Sequence, residues 1–304
     1  MKTLLKVLAV VFALVIVSAI FFGVRGAQAR QLVDGFADAP LPLSPPFQET
    51  TRLEILPLYE EVSSDPNLLS GHGVAYLIRT DAGTLLLDLG NNPDRLEELP
   101  LAQNMAQLEL DWAEIDAVMI SHLHPDHVGG SAPWWSRTLA ADPSGSIPRY
   151  IPDSMNVNNS YVIDAPFAPL PDVTTTGIIP YPEVFPLSLR EPVGREQALV
   201  VHVSGAGLVL ITGCGHPGVQ TLVTRAEALY GQPVVGVVGG LHYGNASEEE
   251  LKPDIEFLRS RDLALIALSP HDSSIAVQTI FRETFPDAYQ EILVGNKILF
   301  SQES

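Results

Sequence analysis

Ser121-His122-Leu123-His124-Pro125-Asp126-His127 is the stretch on which the reading of this 304-residue chain turns. It follows the apolar run Ala117-Val118-Met119-Ile120, which reads as a short buried strand. Side chains two apart on an extended segment point to the same side, so His122 and His124 can converge on one metal ion. Pro125 begins a turn, after which Asp126 and His127 can point at a second ion beside the first. Imidazole and carboxylate suit zinc, and iron and manganese accept the same donors. Four donors packed this closely define a metal site rather than a chance cluster.

His122-x-His124-x-Asp126-His127 resembles the signature of the metallo-β-lactamase superfamily. Upstream, Thr84-Leu85-Leu86-Leu87-Asp88-Leu89-Gly90 is similar to that superfamily's strand ending in Asp-x-Gly. Downstream, Ile211-Thr212-Gly213-Cys214-Gly215-His216-Pro217-Gly218, Gly239-Gly240-Leu241-His242 and Ser269-Pro270-His271 resemble one branch of it. That branch includes archaeal dihydropterin–ribofuranosylaminobenzene-phosphate synthases and many bacterial relatives. The resemblance runs over residues 53–300. It implies an α+β fold, a four-layer αββα sandwich of two mixed β-sheets flanked by helices. It implies two zinc ions, with iron or manganese as alternatives. His122, His124 and His216 are expected on the first ion, and Asp126, His127 and His271 on the second. In many relatives an aspartate after the Thr-Gly of the later strand bridges the ions, and here that position is Cys214. Cys214 is either a bridging thiolate or a buried, inert side chain. The resemblance also gives Asp88 the task of accepting a hydrogen bond from a ligating histidine, which fixes the ring's tautomer.

Other residues are candidates for work on a substrate. His242 follows Gly239-Gly240, where the backbone can approach a ligand closely. It either binds substrate, donates a proton, ligates a metal or makes a structural hydrogen bond. Asp126 and His242 are the candidate catalytic residues. His72, between Gly71 and Gly73, resembles the branch's strand entry and is expected to line the site. His202, alternating with Val201 and Val203, reads as structural. Residues 131–195 are rich in proline and aromatics and lack clear periodicity. They form either a lid-like insertion, with Trp134 and Trp135 as candidate substrate contacts, or a surface excursion packing its own aromatics.

At the N-terminus Lys2 and Lys6 precede an apolar run, Val7 to Phe22, and Ala27-Gln28-Ala29 is similar to a cleavage site. Residues 1–30 are therefore expected to be a signal peptide or membrane anchor, which places the remainder outside the cytoplasm. Residues 31–52 read as a Pro-rich tether, and 53–304 as the globular domain. The formal charge of −19 repels phosphate backbones, so nucleic acid is excluded as a partner and membrane contact is confined to the N-terminal segment. The single cysteine rules out an internal disulfide. The expected function is an exported hydrolase using a metal-bound hydroxide on a small ester, lactone, amide or phosphoester. A transferase or synthase on the same site, or a non-catalytic metal-binding protein, are the alternatives. Export ranks the synthase lower, because a phosphorylated pterin precursor is seldom met outside the cytoplasm.

Periodicity supplies the frame. Strands are expected at Leu53–Leu58, Gly73–Arg79, Thr84–Leu89, Asp116–Ile120, Ala198–Val203, Leu208–Thr212, Val234–Val238 and Leu263–Leu268. Helices are expected through Val219–Leu229, Leu251–Leu258 and Ile275–Phe285. Pro100 is expected to divide Asp94–Leu108 into two short helices, and a hairpin about Gly295-Asn296 to close the chain.

Overall fold

The computed structural model describes residues 2–37, 39–139, 145–183 and 187–301. Residue 38 of the expected tether, and residues 140–144 and 184–186 of the expected insertion, lie outside the described residues. In chain order the elements are α1 (Lys2–Ala37), β1 (Arg52–Tyr59), β2 (Ala75–Arg79), β3 (Thr84–Leu87), α2 (Pro100–Gln107), β4 (Ala117–Met119) and α3 (Ser131–Ser136). Next come β5 (Arg149–Ile151), β6 (Ser160–Val162), β7 (Val173–Thr175), β8 (Ile179–Pro182), β9 (Val193–Glu196), β10 (Leu199–Val203) and β11 (Gly207–Thr212). The chain ends with α4 (Val219–Tyr230), β12 (Val234–Gly239), α5 (Glu248–Arg259), β13 (Leu265–Leu268), α6 (Ile275–Thr284) and β14 (Ile298–Ser301).

Two compact units result, Met1–Pro40 with Pro180–Gly194, and Leu41–Ile179 with Arg195–Ser304. In the larger, a seven-stranded sheet runs β14-β1-β2-β3-β4-β5-β6 and a five-stranded sheet runs β13-β12-β11-β10-β7. Alternate residues of both sheets face each other and fill the sandwich. Ile55, Tyr76, Ile78, Leu85, Leu87 and Met119 from the first meet Leu199, Val201, Val209, Ile211, Val238 and Ala267 from the second. The opposite face of the first sheet (Leu56, Leu58, Leu77, Leu86, Val118) buries Leu101 and Met105 of α2. Helix α4 lies on β11 and β12, with α5 against it and α6 against α5. This is the αββα sandwich expected.

Strand direction positions the site. β3 and β4 are parallel, as are β11, β12 and β13, so their C-terminal ends gather at common sheet edges. Asp88, residues 121–127, residues 214–216, His242 and residues 269–272 all follow those ends.

Three expectations are corrected. Pro100 does not divide a helix: it opens the single helix α2 at its first turn, where its missing N–H would have been unpaired anyway. The closing hairpin does not form: β14 pairs antiparallel with β1, while Val294 makes only an isolated bridge to Ser63. The register that buries Ile298 and Phe300 against β1 decides this. The third concerns export through a membrane-spanning segment. Among the described residues no helix is long and apolar enough to cross a membrane. The run Val7–Phe22 would extend roughly 24 Å at 1.5 Å per residue, short of the roughly 30 Å hydrocarbon core. The helix carrying it continues as one 36-residue α1 through Arg25, Arg30 and Asp34.

Candidate metal centre

The site is built from Asp88 outwards. This carboxylate is fully buried, with φ 59°. Its Oδ1 accepts from the Ser121 amide at 2.7 Å, and its Oδ2 accepts from Ser121 Oγ at 2.6 Å and lies 2.7 Å from His127 Nδ1. A carboxylate only accepts, so His127 donates from Nδ1. Ser121 has one hydroxyl proton and gives it to Asp88, so its oxygen accepts from His122 Nδ1 at 2.9 Å. One acid thus orients two histidines, His127 directly and His122 through Ser121, and turns their Nε2 atoms inward. Gly213 passes so close to Ser121 that an added Cβ would collide with Oγ.

Those Nε2 atoms enter two convergent sets. In the first, His122 Nε2 and His216 Nε2 stand 3.3 Å apart, and the His124 ring packs 4.4 Å from His122 and 4.8 Å from His216, between centroids. In the second, Asp126 Oδ2 lies 3.3 Å from His271 Nε2 and 3.7 Å from His127 Nε2. Cys214 Sγ sits between the sets, 3.1 Å from His127 Nε2 and 3.4 Å from His271 Nε2, and groups with His122 as well. On a zinc shell of about 2.1 Å radius, donors separated by 90–120° lie roughly 3.0–3.6 Å apart. All but one of the observed donor spacings fall in that range and the 3.7 Å between His127 and Asp126 lies just above it, and inward-facing imidazole lone pairs have little use for one another without a cation.

Further acids hold the loops. Glu196 Oε1 accepts from the amides of Cys214 (3.0 Å) and Gly215 (2.8 Å), and Oε2 from that of His216 (2.7 Å). Glu60 accepts from Tyr76 Oη at 2.9 Å, from Ser269 Oγ at 2.6 Å and from the His271 amide at 3.1 Å. Asp272 accepts from the His242 amide at 2.8 Å. Sequence reasoning assigned no role to Glu60, Glu196, Asp272 or Ser121. An acid at a strand end ordinarily reads as solvated, and the only available cue for Ser121 was its place in the opening motif.

Burial governs the electrostatics. It pushes His122 and His216 well down, helped by the neighbouring imidazoles, and His271 down to about 3. These rings are therefore neutral, the form that ligates. For His127 burial is outweighed by the charges of Asp88 and Asp126, which push it up to about 9. Burial would raise Asp126 too, but His127 and His271 overcome it and hold the carboxyl below its ordinary range. Burial and then the surrounding acids push the Cys214 thiol well up, so a thiolate there needs a cation beside it. Burial raises Glu60 to about 8 and Asp272 to about 7.

His72 and His242 stand exposed at the rim. The His242 ring lies 4.3 Å from that of His216, and His242 has φ 56°. Trp134 and Trp135 belong to neither ligand set. Trp134 packs on the core beside α2, and Trp135 is 71% exposed.

The family model of the metallo-beta-lactamase superfamily matches residues 70–145, the segment that carries the opening motif. Tm1679, a metal-dependent hydrolase of the beta-lactamase superfamily, superposes with a TM-score of 0.57 at 19% identity, covering 82% of this chain and 100% of that one. The metallo-beta-lactamase fold protein YhfI from Bacillus subtilis does so with a TM-score of 0.51 at 13% identity, again covering 82% and 100%. At these identities the likeness is one of fold. The chain has the fold of the metallo-β-lactamase superfamily, and its motif-bearing segment matches that superfamily's model. Along the sequence it is 22% identical over 272 residues to the 7,8-dihydropterin-6-methyl-4-(beta-D-ribofuranosyl)-aminobenzene-5'-phosphate synthase of Methanocaldococcus jannaschii, covering 76% of this chain and 90% of that protein.

Proposed function

We propose that this chain is a dinuclear metal-dependent hydrolase acting on a small ester, lactone, amide or phosphoester. The observation that carries the reading is the pair of adjacent donor sets, His122 with His124 and His216 and Asp126 with His127 and His271, with the exposed His242 and His72 beside them. His122, His124 and His216 would hold one ion and Asp126, His127 and His271 the other, with Cys214 in reach of both. When bound, two such ions polarise the bond under attack and make water acidic enough to supply the nucleophile near neutral pH. Around them, Asp88 fixes the tautomers of His127 and His122. Glu196 and Glu60 hold the loops of His216 and His271. To His242, whose amide is held by Asp272 and whose ring lies beside that of His216, we assign the passing of a proton to the leaving group.

Zinc-loaded protein, assayed against a panel of esters, lactones, amides and phosphoesters, should turn over at least one class. His122→Ala and Asp126→Ala should each abolish that turnover with little change in the far-ultraviolet circular dichroism. Equal hydrolysis by all three proteins would defeat the reading.

A synthase reaction on the same centre is the second reading, favoured by the extent of the match to the archaeal synthase. The ranking that set it lower rested on export, and that ground falls with the correction to the N-terminal segment. Incubation with a 7,8-dihydropterin carrying a phosphorylated 6-hydroxymethyl group and 4-(β-D-ribofuranosyl)aminobenzene 5'-phosphate separates the two: a synthase joins them at the methyl carbon as the phosphate-containing leaving group departs, and mass spectrometry reads both products.

A further inference from the structure

We infer that His72, oriented by Glu61, is an additional ligand of the second ion and closes that ion's side of the rim. This deepens the two-ion reading and rests on it. The loop between β1 and β2 carries Gly71-His72-Gly73 and is tied directly to the Asp126 turn. Gly71 N donates to Glu60 O at 2.9 Å, Val74 N to Asp126 O at 3.2 Å, and Asn91 Nδ2 to His72 O at 2.8 Å. Gly73 has φ 142°, and a Cβ there would stand 2.6 Å from Asp126 O. Only glycine allows this approach, so the backbone beside His72 is locked onto the turn that presents Asp126.

From that anchor the imidazole leans inward. Its Nε2 is 3.5 Å from Asp126 Oδ2, and its ring lies 4.1 Å from that of His271. Three Nε2 atoms, those of His271, His72 and His127, therefore surround one carboxylate oxygen at 3.3, 3.5 and 3.7 Å. The His72 spacing falls inside the range for donors sharing one metal shell. The other nitrogen, Nδ1, faces Glu61 Oε2 at 3.4 Å. A ligating histidine almost always presents its second nitrogen to a carboxylate or carbonyl, which fixes the tautomer. Glu60 and Glu61 divide this labour by alternation at the end of β1. Glu60 turns inward to the His271 loop, and Glu61 outward to His72.

An exposed ion pair on the rim is the plain alternative. It predicts a weak, salt-screened contact with no bearing on metal. The His72 side chain is 63% exposed, so truncating it leaves no cavity and should not unfold the chain.

The test is stepwise titration of the metal-free full chain with cobalt(II), read by visible absorption and by calorimetry. Wild type should take two equivalents. His72→Ala should bind the first as wild type does and the second at least tenfold more weakly, with an altered second-step spectrum. Glu61→Gln should shift the second step the same way by about threefold. A His72→Ala titration identical to wild type overturns the assignment and leaves two ions in place. Equal weakening of both steps overturns it as well. A third equivalent in wild type, lost in His72→Ala, overturns it in favour of a separate cation held by Glu61, His72 and His271. A wild type that binds fewer than two equivalents overturns the two-ion reading itself.

Discussion

Asp88→Asn isolates the act of orienting from the act of ligating. Asparagine keeps the volume and tolerates the left-handed backbone at φ 59°, so the local chain path should survive. The carboxylate takes three donors, the Ser121 amide on one oxygen and Ser121 Oγ with His127 Nδ1 on the other. An amide has one acceptor oxygen. If its NH2 faces the Ser121 amide, one buried donor is orphaned, costing about 1–3 kcal/mol. The two remaining bonds lose their charge assistance, together roughly 1–2 kcal/mol. If the NH2 faces His127 instead, Nδ1 must become the acceptor and the proton moves to Nε2, the atom aimed at the second ion. Removing a buried charge offsets part of the loss, so the metal-free chain should be about 2–4 kcal/mol less stable in urea. Zinc affinity, from competition with a chromophoric chelator, should fall about 10–100-fold, the usual effect of removing such a partner. Affinity within threefold of wild type in a folded protein would refute the argument that Asp88 sets the tautomers.

Glu196→Gln should orphan one of the amides of Cys214, Gly215 and His216, costing about 1–3 kcal/mol in urea. It should loosen the ion on His216 more than the one on His271, and an equal effect on both would sink it. His202 tests burial alone, away from the metal. It is fully buried, stacked 3.8 Å from Phe47, with Nε2 2.8 Å from Thr174 Oγ1 and Nδ1 unpartnered among the described residues. Desolvation pushes it from the ordinary 6.5 down to about 4, so the unfolded chain takes up the proton first. Its contribution to stability is whole above about pH 6.5 and is lost as pH falls towards 4, about 2 kcal/mol by pH 5. His202→Phe should remove that part of the decline between pH 7 and 5 in urea titrations. An unchanged slope would show that the ring titrates normally.

What could be read beforehand was what lies within one element. His122, His124, Asp126 and His127 share a single loop, so local spacing sufficed. The central strands, β1 to β4 of one sheet and β10 to β13 of the other, were legible because alternation or apolar runs report burial directly. Pro100 was misjudged because proline at a first helical turn and proline in a helix interior look the same until the start is known. The closing hairpin was misread because the turn at Gly295-Asn296 says nothing of which strand β14 will meet. Residues 131–195 looked irregular, yet β5 and β6 extend one sheet and β7 the other. Their short length left too few residues for a period to show. Glu60 and Glu196 were invisible for a deeper reason. Their burial comes from loops 211 and 20 residues away for the closest-held loop amides, His271 and His216, and no local pattern carries that information.

Those acids bear on how the loops of the site are held by bonds other than those to a metal. Several imidazoles crowded together gain little from one another, and desolvation already opposes charging them. If only the ligands held the loops, the metal-free chain would relax by splaying them apart. Instead the loop of His216 is fixed by three amide hydrogen bonds to Glu196, and that of His271 by an amide bond to Glu60. None of these bonds uses a ligand atom. The cost of burying each acid shows as its raised pKa, about 8 for Glu60, and the cost is partly offset by the donors gathered around it. Preorganisation by acids that never touch the ion therefore separates holding the loops from binding the cation. Substitutions at Glu196 should then register in the metal-free chain, whereas those at exposed His72 should register only once metal is added.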